Sequence, residues 1–181
     1  MNSSVGAGSG PAPRGASVLA MRIREFAESD WPQVWPIIRE VIRAEETFAY
    51  DPAMTSEQAR DLWVVSPPGL TVVAVEGDAI LGTAQMDTNR PGRGSHVATA
   101  SFMVAAGARG RGVGKALCRF ALDWAKDRGY AGMQFNAVVE TNHAAVELYK
   151  RLGFNVVGTV PGAFDHPELG RVGLHVMYAE F

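Results

Sequence analysis

The sequence predicts an α/β domain in which helices pack on one mixed sheet. Strand-like segments occur in pairs through the first half of the chain and then alternate with helix-like segments, an order typical of such sheets. The apolar fraction of 47% is usual for a globular chain that buries a sizeable core. These observations define the fold class before any motif is considered.

The 181 residues divide into a tail and one domain. Residues 1–20 are rich in Gly, Ser, Pro and Ala, which predicts a flexible segment, and residues 21–181 form a domain of ordinary size. The tail has neither a basic leader nor a continuous apolar core, so we do not expect a secretory signal. No stretch approaches the roughly 18 consecutive apolar residues of a membrane span.

Charge and cysteine content limit the kinds of partner and compartment that we expect for this protein. The net charge of −2 comes from 17 basic and 19 acidic residues, so no global field suggests nucleic acid or an anionic membrane as a partner. The single cysteine, Cys118, excludes an internal disulfide framework and fits a reducing compartment. We therefore expect a cytoplasmic protein whose partners are small molecules.

Four segments are predicted as helices from the spacing of their apolar residues. Ser29 and Asp30 offer an N-cap for the first helix, and Pro36 lies near its start, where a missing N–H is tolerated. Thr55 offers a cap for the second helix and Asn142 for the fourth. The predicted helices span residues 31–44, 55–64, 112–128 and 142–152.

Seven apolar segments bounded by turn residues are predicted as strands. A Glu-Gly-Asp-Ala sequence at residues 76–79 is a hairpin signal between the second and third strands. Residues 161–171 are predicted as a loop before the last strand. The predicted strands span residues 21–26, 70–75, 80–86, 97–104, 131–139, 154–160 and 172–181.

The most informative motif is a glycine-rich turn between a strand and a helix, residues 104–115, VAAGARGRGVGK. Such a turn leaves backbone N–H groups free at the positive end of a helix dipole, where diphosphate is the usual anion. A P-loop is excluded because Arg109 and Ala116 replace its first glycine and its hydroxyl residue. The dinucleotide fingerprint is excluded because its third glycine falls on Lys115 or Leu117.

What remains is the pattern R-x-x-G-x-G, formed by Arg109, Gly112 and Gly114 behind the strand residue Val104. A second block, residues 142–154, reads N-x-x-A-x-x-L-Y-x-x-x-G-F. Together the two blocks resemble the GCN5-related N-acetyltransferases, and the resemblance covers residues 21–181 in order and spacing. It implies a mostly antiparallel seven-stranded sheet with about four helices, in which a central parallel strand pair splays apart.

The resemblance also implies where acetyl-CoA binds. Its pantetheine arm would lie between the splayed strands, bonded to the backbone of Met103 and Val104, with the Val104 N–H facing the thioester oxygen. The diphosphate would lie on the amides of the turn, where glycines allow close approach of the backbone. The implied acetyl-CoA-binding residues are Met103, Val104, Arg109, Gly110, Arg111, Gly112, Val113, Gly114, Lys115 and Asn142.

Three of these residues have a second interpretation. Arg109 in isolation is an ordinary exposed loop arginine, although Arg can grip phosphate through two parallel hydrogen bonds. Arg111 either touches a phosphate or points into solvent. Asn142 is explained by helix capping alone, while the resemblance adds a contact with the pantetheine arm or a bound water.

The candidate catalytic residues are Tyr149, which the resemblance supports, and Asn136 and Glu140, which are chosen from their places in the strands. A phenol with the ordinary pKa of about 10 is protonated at neutral pH, so Tyr149 could protonate the leaving thiolate as general acid. Its spacing from Ala145 equally fits a core aromatic. Asn136 is an amide in an apolar strand, which needs a partner in a neighbouring loop or in the acceptor. Glu140, at a strand end, is either a general base or a solvated loop residue. The other candidates for the general base are His96, Glu45, Glu46 and Asp51.

We expect no metal, because the histidines lack the spacing of metal ligands. Cys118 has no histidine pattern nearby, so transfer should be direct, without an acyl-enzyme. The resemblance implies that the acceptor is chosen by residues 45–52 (EETFAYDP) and 162–170 (GAFDHPELG). Their aromatic content favours a small amine or amino acid.

The segments ETFAYDP and FNAVVETN together also resemble a subgroup that acetylates imino acids such as azetidine-2-carboxylate. Two alternatives remain open at this stage. The chain could be a non-catalytic acyl-CoA-binding sensor, or it could acetylate a protein N-terminus. Because members of this family are frequently dimers, we also expect a homodimer.

Overall fold

The computed structural model describes residues 20–181, which form one seven-stranded sheet and four α-helices. The predicted flexible tail therefore lies almost wholly outside the described residues. The helices are α1 (Trp31–Ala44), α2 (Ser56–Trp63), α3 (Val113–Asp127) and α4 (His143–Arg151). The strands are β1 (Arg22–Glu25), β2 (Leu70–Glu76), β3 (Ala79–Thr88), β4 (Val97–Val104), β5 (Gly132–Val139), β6 (Asn155–His166) and β7 (Gly170–Glu180).

The sheet has the order β1-β2-β3-β4-β5-β7-β6, and every neighbouring pair is antiparallel except β4 with β5. This confirms the predicted mixed, mostly antiparallel architecture. One apolar cluster packs α3 and α4 on one face of the sheet, and a second packs α1 and α2 on the other. Alternation along β4 supplies both layers, since Ala100 belongs to the first cluster and Met103 to the second.

The central parallel pair is joined over a very short length. β4 and β5 are in register only at Val97 with Gly132 and at Ala98 with Met133. Beyond these pairs β4 continues alongside β3 as far as Val104, while β5 follows β7 through a bulge between Phe135 and Val138. The two strands therefore diverge, and a wedge opens between them towards the carboxyl end of β4.

The last hairpin differs from the sequence prediction. The segment predicted as a loop, residues 161–171, is mostly strand, because β6 runs on to His166 and β7 starts at Gly170. Pro161 is tolerated because β6 is the edge of the sheet, where a missing N–H breaks no ladder bond on the open side. A register shift between Val160 and Phe164 absorbs the irregular residues.

The helix starts are only partly as predicted. Thr55 caps α2 through a reciprocal pair of bonds, since its hydroxyl accepts from the Gln58 N–H at 3.3 Å and its own N–H donates to the Gln58 side chain at 2.9 Å. Asp30 does not cap α1. Instead its carboxylate accepts two bonds from Arg24, at 2.6 and 2.8 Å, and one from the Ala27 N–H at 2.8 Å.

The Asp30 carboxylate is buried, and its hydrogen bond from Arg24 lowers its pKa below the ordinary value. A lowered pKa means that the interaction stabilises the folded state above about pH 4 and is lost as the pH falls through the native pKa. We expect Asp30→Asn to lower the free energy of unfolding by about 1–3 kcal/mol at pH 7.

The difference in unfolding free energy between the wild type and Asp30→Asn, measured by urea unfolding, should shrink as the pH drops below about 4. Asp123→Asn is the matched control, because Asp123 is exposed on α3 and forms no ion pair among residues 20–181. A cost that stays constant down to pH 3 would show that the Arg24–Asp30 pair does not carry the effect.

Candidate active site

The divergence of β4 and β5 opens a cleft of about 950 Å³. This volume is within the range of small-molecule sites. One end is formed by the glycine-rich turn and α4, and the other by the segment between α1 and α2, residues 46–50. Of the residues predicted to bind acetyl-CoA, the cleft is lined by Met103, Val104, Arg109, Gly110, Gly112, Val113, Gly114, Lys115 and Asn142.

The glycine-rich turn has the geometry of an anion site. Gly110 and Gly112 have φ of 75° and 82°, in the left-handed region that other residues avoid. The first intrahelical bond of α3 is donated by Ala116 to the Gly112 carbonyl, so the N–H groups of the three preceding residues have no helical partner. A Cβ on either glycine would meet open space, so these positions need glycine for conformation and close approach rather than for packing.

The backbone of β4 presents a donor to the cleft. The Ala105 N–H bonds the Leu81 carbonyl on β3 at 2.9 Å. Because successive N–H groups of a strand point to opposite sides, the Val104 N–H points away from β3 and into the wedge. This is the orientation that the predicted contact with a thioester oxygen requires.

The basic residues of the turn have different environments. Arg109 and Lys115 line the cleft, and neither belongs to an ion pair within residues 20–181. The Arg111 guanidinium instead binds Glu76, the last residue of β2, at 2.8 and 2.9 Å, and is not among the groups lining the cleft. The Arg111 side chain is therefore exposed to solvent, one of its two predicted positions, and is held there by an ion pair.

Tyr149 packs as a core aromatic and also borders the cleft. Its ring packs against Phe135 at 4.6 Å and Phe102 at 6.1 Å between centroids, as a core aromatic would. The residue nevertheless lines the cleft. Burial raises the pKa of the Tyr149 phenol above its ordinary value, with a smaller contribution from the Cys118 thiol. The phenol is therefore a protonated donor at neutral pH, while burial raises the Cys118 pKa to about 12.

Asn136 lies in the β5 bulge and lines the cleft. Its side-chain amide donates to the Asn89 side chain at 2.7 Å and accepts from Gln134 at 2.8 Å. The neighbouring loop therefore supplies the partner that a strand amide needs. Asn142 likewise caps α4, accepting from the Ala145 N–H at 3.3 Å, while it faces the cleft.

Glu140 is the predicted catalytic residue that the structure does not bring to the cleft. Its carboxylate accepts a hydrogen bond from the Gly173 N–H on β7, and it is absent from the cleft lining. The carboxylate thus joins β5 to β7, because Gly173 leaves room for it beside the backbone. The geometry gives Glu140 a contact between neighbouring strands and places it outside the cleft lining.

The sequence analysis missed three polar residues of the cleft. Thr99 and Ser101 line it from β4, and Arg151 lines it from the end of α4. Alternation from Met103 could have indicated the first two. Ala144, Leu148 and Arg151 have i, i+4, i+7 spacing, which places them on one face of α4, and all three line the cleft.

Within residues 20–181, no three His, Cys, Asp or Glu side chains are grouped as a metal site. No helix in the described part of the chain is long and apolar enough to cross a membrane.

Comparison with known proteins identifies a family and solved structures that share this fold. The model of the acetyltransferase (GNAT) family matches residues 25–154. A solved GCN5-related N-acetyltransferase from Kribbella flavida is 56% identical, with a TM-score of 0.87 over 90% of this chain and 98% of that one. The structure of yncA from Salmonella typhimurium, solved with acetyl-CoA, has a TM-score of 0.75 at 22% identity, over 89% and 94% of the two chains, and shows a shared fold.

Two curated relatives are also similar. N-acetyltransferase aca1 of Schizosaccharomyces pombe is 28% identical over 154 residues, which is 77% of this chain and 71% of that protein. Protein SPT10 of Saccharomyces cerevisiae is 35% identical over 92 residues, which is 48% of this chain. The matched region is only 14% of the length of SPT10.

Proposed function

Because the chain belongs to the acetyltransferase (GNAT) family, we propose that it transfers an acetyl group from acetyl-CoA directly to the amine of a small molecule. The observation that carries this proposal is the single cleft between β4 and β5. It joins a diphosphate-type anion turn at one end to the wall formed by residues 46–50 at the other. A cofactor arm and an acceptor can therefore meet beside the Val104 N–H and Tyr149.

The residues that would hold acetyl-CoA fit its chemistry. The unpaired amides of the turn and the side chains of Arg109 and Lys115 suit a diphosphate. The edge of β4, which has no strand partner after Ala98, suits an extended pantetheine arm with its own amide groups. When bound, acetyl-CoA supplies an activated acyl group on a thiol leaving group.

The chain's residues then assist transfer in two ways. The Val104 N–H donates to the carbonyl oxygen as negative charge develops on it. The amine nitrogen forms the new C–N bond, the C–S bond breaks, and the Tyr149 phenol gives its proton to the departing sulfur. An amine that enters as an ammonium first gives one proton to water, so that its nitrogen has a free electron pair. The second proton passes to water after the C–N bond forms, and solvent restores the phenol.

Tyr149→Phe tests this assignment, because phenylalanine keeps the packing on Phe135 and removes the proton donor. We expect kcat to fall about 100-fold, while the KM for acetyl-CoA changes less than about twofold. Free-thiol release gives both constants.

The matched control is Tyr130→Phe, which removes the phenol that bonds Thr88, a residue outside the cleft lining. Its kcat should stay close to that of the wild type. Unchanged turnover in Tyr149→Phe would remove Tyr149 from the mechanism.

Arg109 and Arg111 provide a second test, because they are neighbours with different contacts. We expect Arg109→Gln to raise the KM for acetyl-CoA about tenfold, a loss of about 1.4 kcal/mol. Arg111→Gln should have a clearly smaller effect because its guanidinium is held by Glu76. Equal effects of the two substitutions would contradict a specific phosphate contact by Arg109.

Arg151 provides a third test. It lies one helical turn beyond Leu148, whose side chain is next to Gly114 of the glycine-rich turn. We expect it to bind the 3′-phosphate of the cofactor. Arg151→Gln should raise the KM for acetyl-CoA about tenfold and leave that for acetyl-dephospho-CoA unchanged. Lys150→Gln is the control, because Lys150 pairs with Glu147 outside the cleft. An equal loss with both cofactors would assign Arg151 to the diphosphate instead.

A non-catalytic acyl-CoA sensor is the competing function. An enzyme and a sensor would both bind acetyl-CoA, but a sensor needs neither a proton donor nor an acceptor pocket. The protonated Tyr149 phenol and the pocket at residues 46–50 favour the enzyme. Thiol release with a panel of amines decides between the two, since a sensor would bind acetyl-CoA without turnover.

A further inference from the structure

The charged side chains that line the cleft are separated by sign. Three of them are cations, Arg109 and Lys115 at the start of α3 and Arg151 at the end of α4. The fourth is Glu46, an exposed residue of the segment between α1 and α2. The cationic end matches the several negative charges of acetyl-CoA, so the end around Glu46 remains for the acceptor.

The pocket around Glu46 combines aromatic walls with hydroxyl groups. Phe48 and Tyr50 line it with their rings 5.5 Å apart, and burial raises the pKa of the Tyr50 phenol, which is therefore neutral. Thr99 and Ser101 lie on the same face of β4 as Met103, which packs in the α1–α2 cluster. These hydroxyls therefore face the same layer as the aromatic walls.

Glu46 has no cationic partner in this pocket. It belongs to none of the ion pairs formed within residues 20–181. The neighbouring Arg43, in the last turn of α1, is exposed and does not line the cleft. An unpaired carboxylate attracts an ammonium group through charge, and the aromatic rings that line the same cleft attract it through cation–π contact.

We propose that the acceptor is a small cationic amine with apolar carbons and no carboxylate, and that Glu46 holds it in the pocket. This inference rests on the proposed function and narrows it. An amino or imino acid would bring its own carboxylate into a pocket whose one charged side chain, among the described residues, is Glu46. Like charges repel, and no arginine or lysine at this end would compensate, so the pocket discriminates against such acceptors.

Matched amines that differ in the carboxylate test the inference. The probes are phenylalanine, phenylalaninamide and phenethylamine, with proline, prolinamide and pyrrolidine as a second set. Free-thiol release from acetyl-CoA gives kcat/KM for each amine. We expect the wild type to prefer the amides and simple amines over the acids at least tenfold in each set that it acetylates.

The amines also differ in basicity, but this difference is the same for the wild type and for Glu46→Gln. Comparing the two proteins therefore isolates the effect of the Glu46 charge. We expect this substitution to lower the ratio of kcat/KM for the amide to kcat/KM for the acid at least fivefold. The KM for acetyl-CoA and the urea unfolding midpoint should remain close to the wild-type values, which excludes a folding defect. Glu40→Gln is the matched control, because Glu40 is exposed on α1 outside the cleft lining, and its ratio should stay within twofold.

Two results would overturn the inference while leaving the proposed function intact. One is equal or faster acetylation of phenylalanine or proline by the wild type. The other is an amide-to-acid ratio that Glu46→Gln does not change. If none of the six amines is acetylated at millimolar concentration although acetyl-CoA binds, the result counts against the inference and against the proposed function as well.

Discussion

The site depends on the early divergence of β4 and β5. Two residue pairs hold the strands together, and beyond them the backbone N–H and C=O groups along that edge of β4 have no strand partner. Unpaired backbone groups are costly when they are buried away from water, so such an edge must face solvent or a ligand with complementary groups. An extended chain of amides between the strands meets this requirement. Three further elements line the cleft because they border this wedge: the glycine-rich turn, α4 and the segment between α1 and α2.

The alternation of β4 explains how one strand serves both ends of the cleft. Its even-numbered residues pack towards α3 and α4, where Phe102 supports Tyr149. The odd-numbered residues Thr99 and Ser101 face the layer of α1 and α2, beside the pocket around Glu46. In the proposed assignment, the strand separates a cationic end that binds acetyl-CoA from an acidic end that binds the acceptor. Proton donation and acceptor binding are assigned to opposite faces of the same sheet.

Local motifs were predictable because their cause is local. Positive φ at Gly110 and Gly112, the free amides at the start of α3 and the capping role of Asn142 all depend on a few consecutive residues. The same argument failed for Asp30, whose carboxylate binds Arg24 rather than the helix that follows it. A polar side chain takes the best partner available in three dimensions, and that partner is not always the adjacent backbone.

The sequence by itself determined the fold class, most element positions and the anion turn, because periodicity and turn chemistry act over short distances. The tertiary structure decided which candidates share the site. The Arg111 side chain binds Glu76, 35 residues away, and the Glu140 side chain binds the Gly173 backbone, 33 residues away, so neither lines the cleft. Arg151 and Ser101 enter the cleft only because strands distant in sequence set its walls. Contacts of this range depend on strand register and bulges, which single residues and their spacing do not encode.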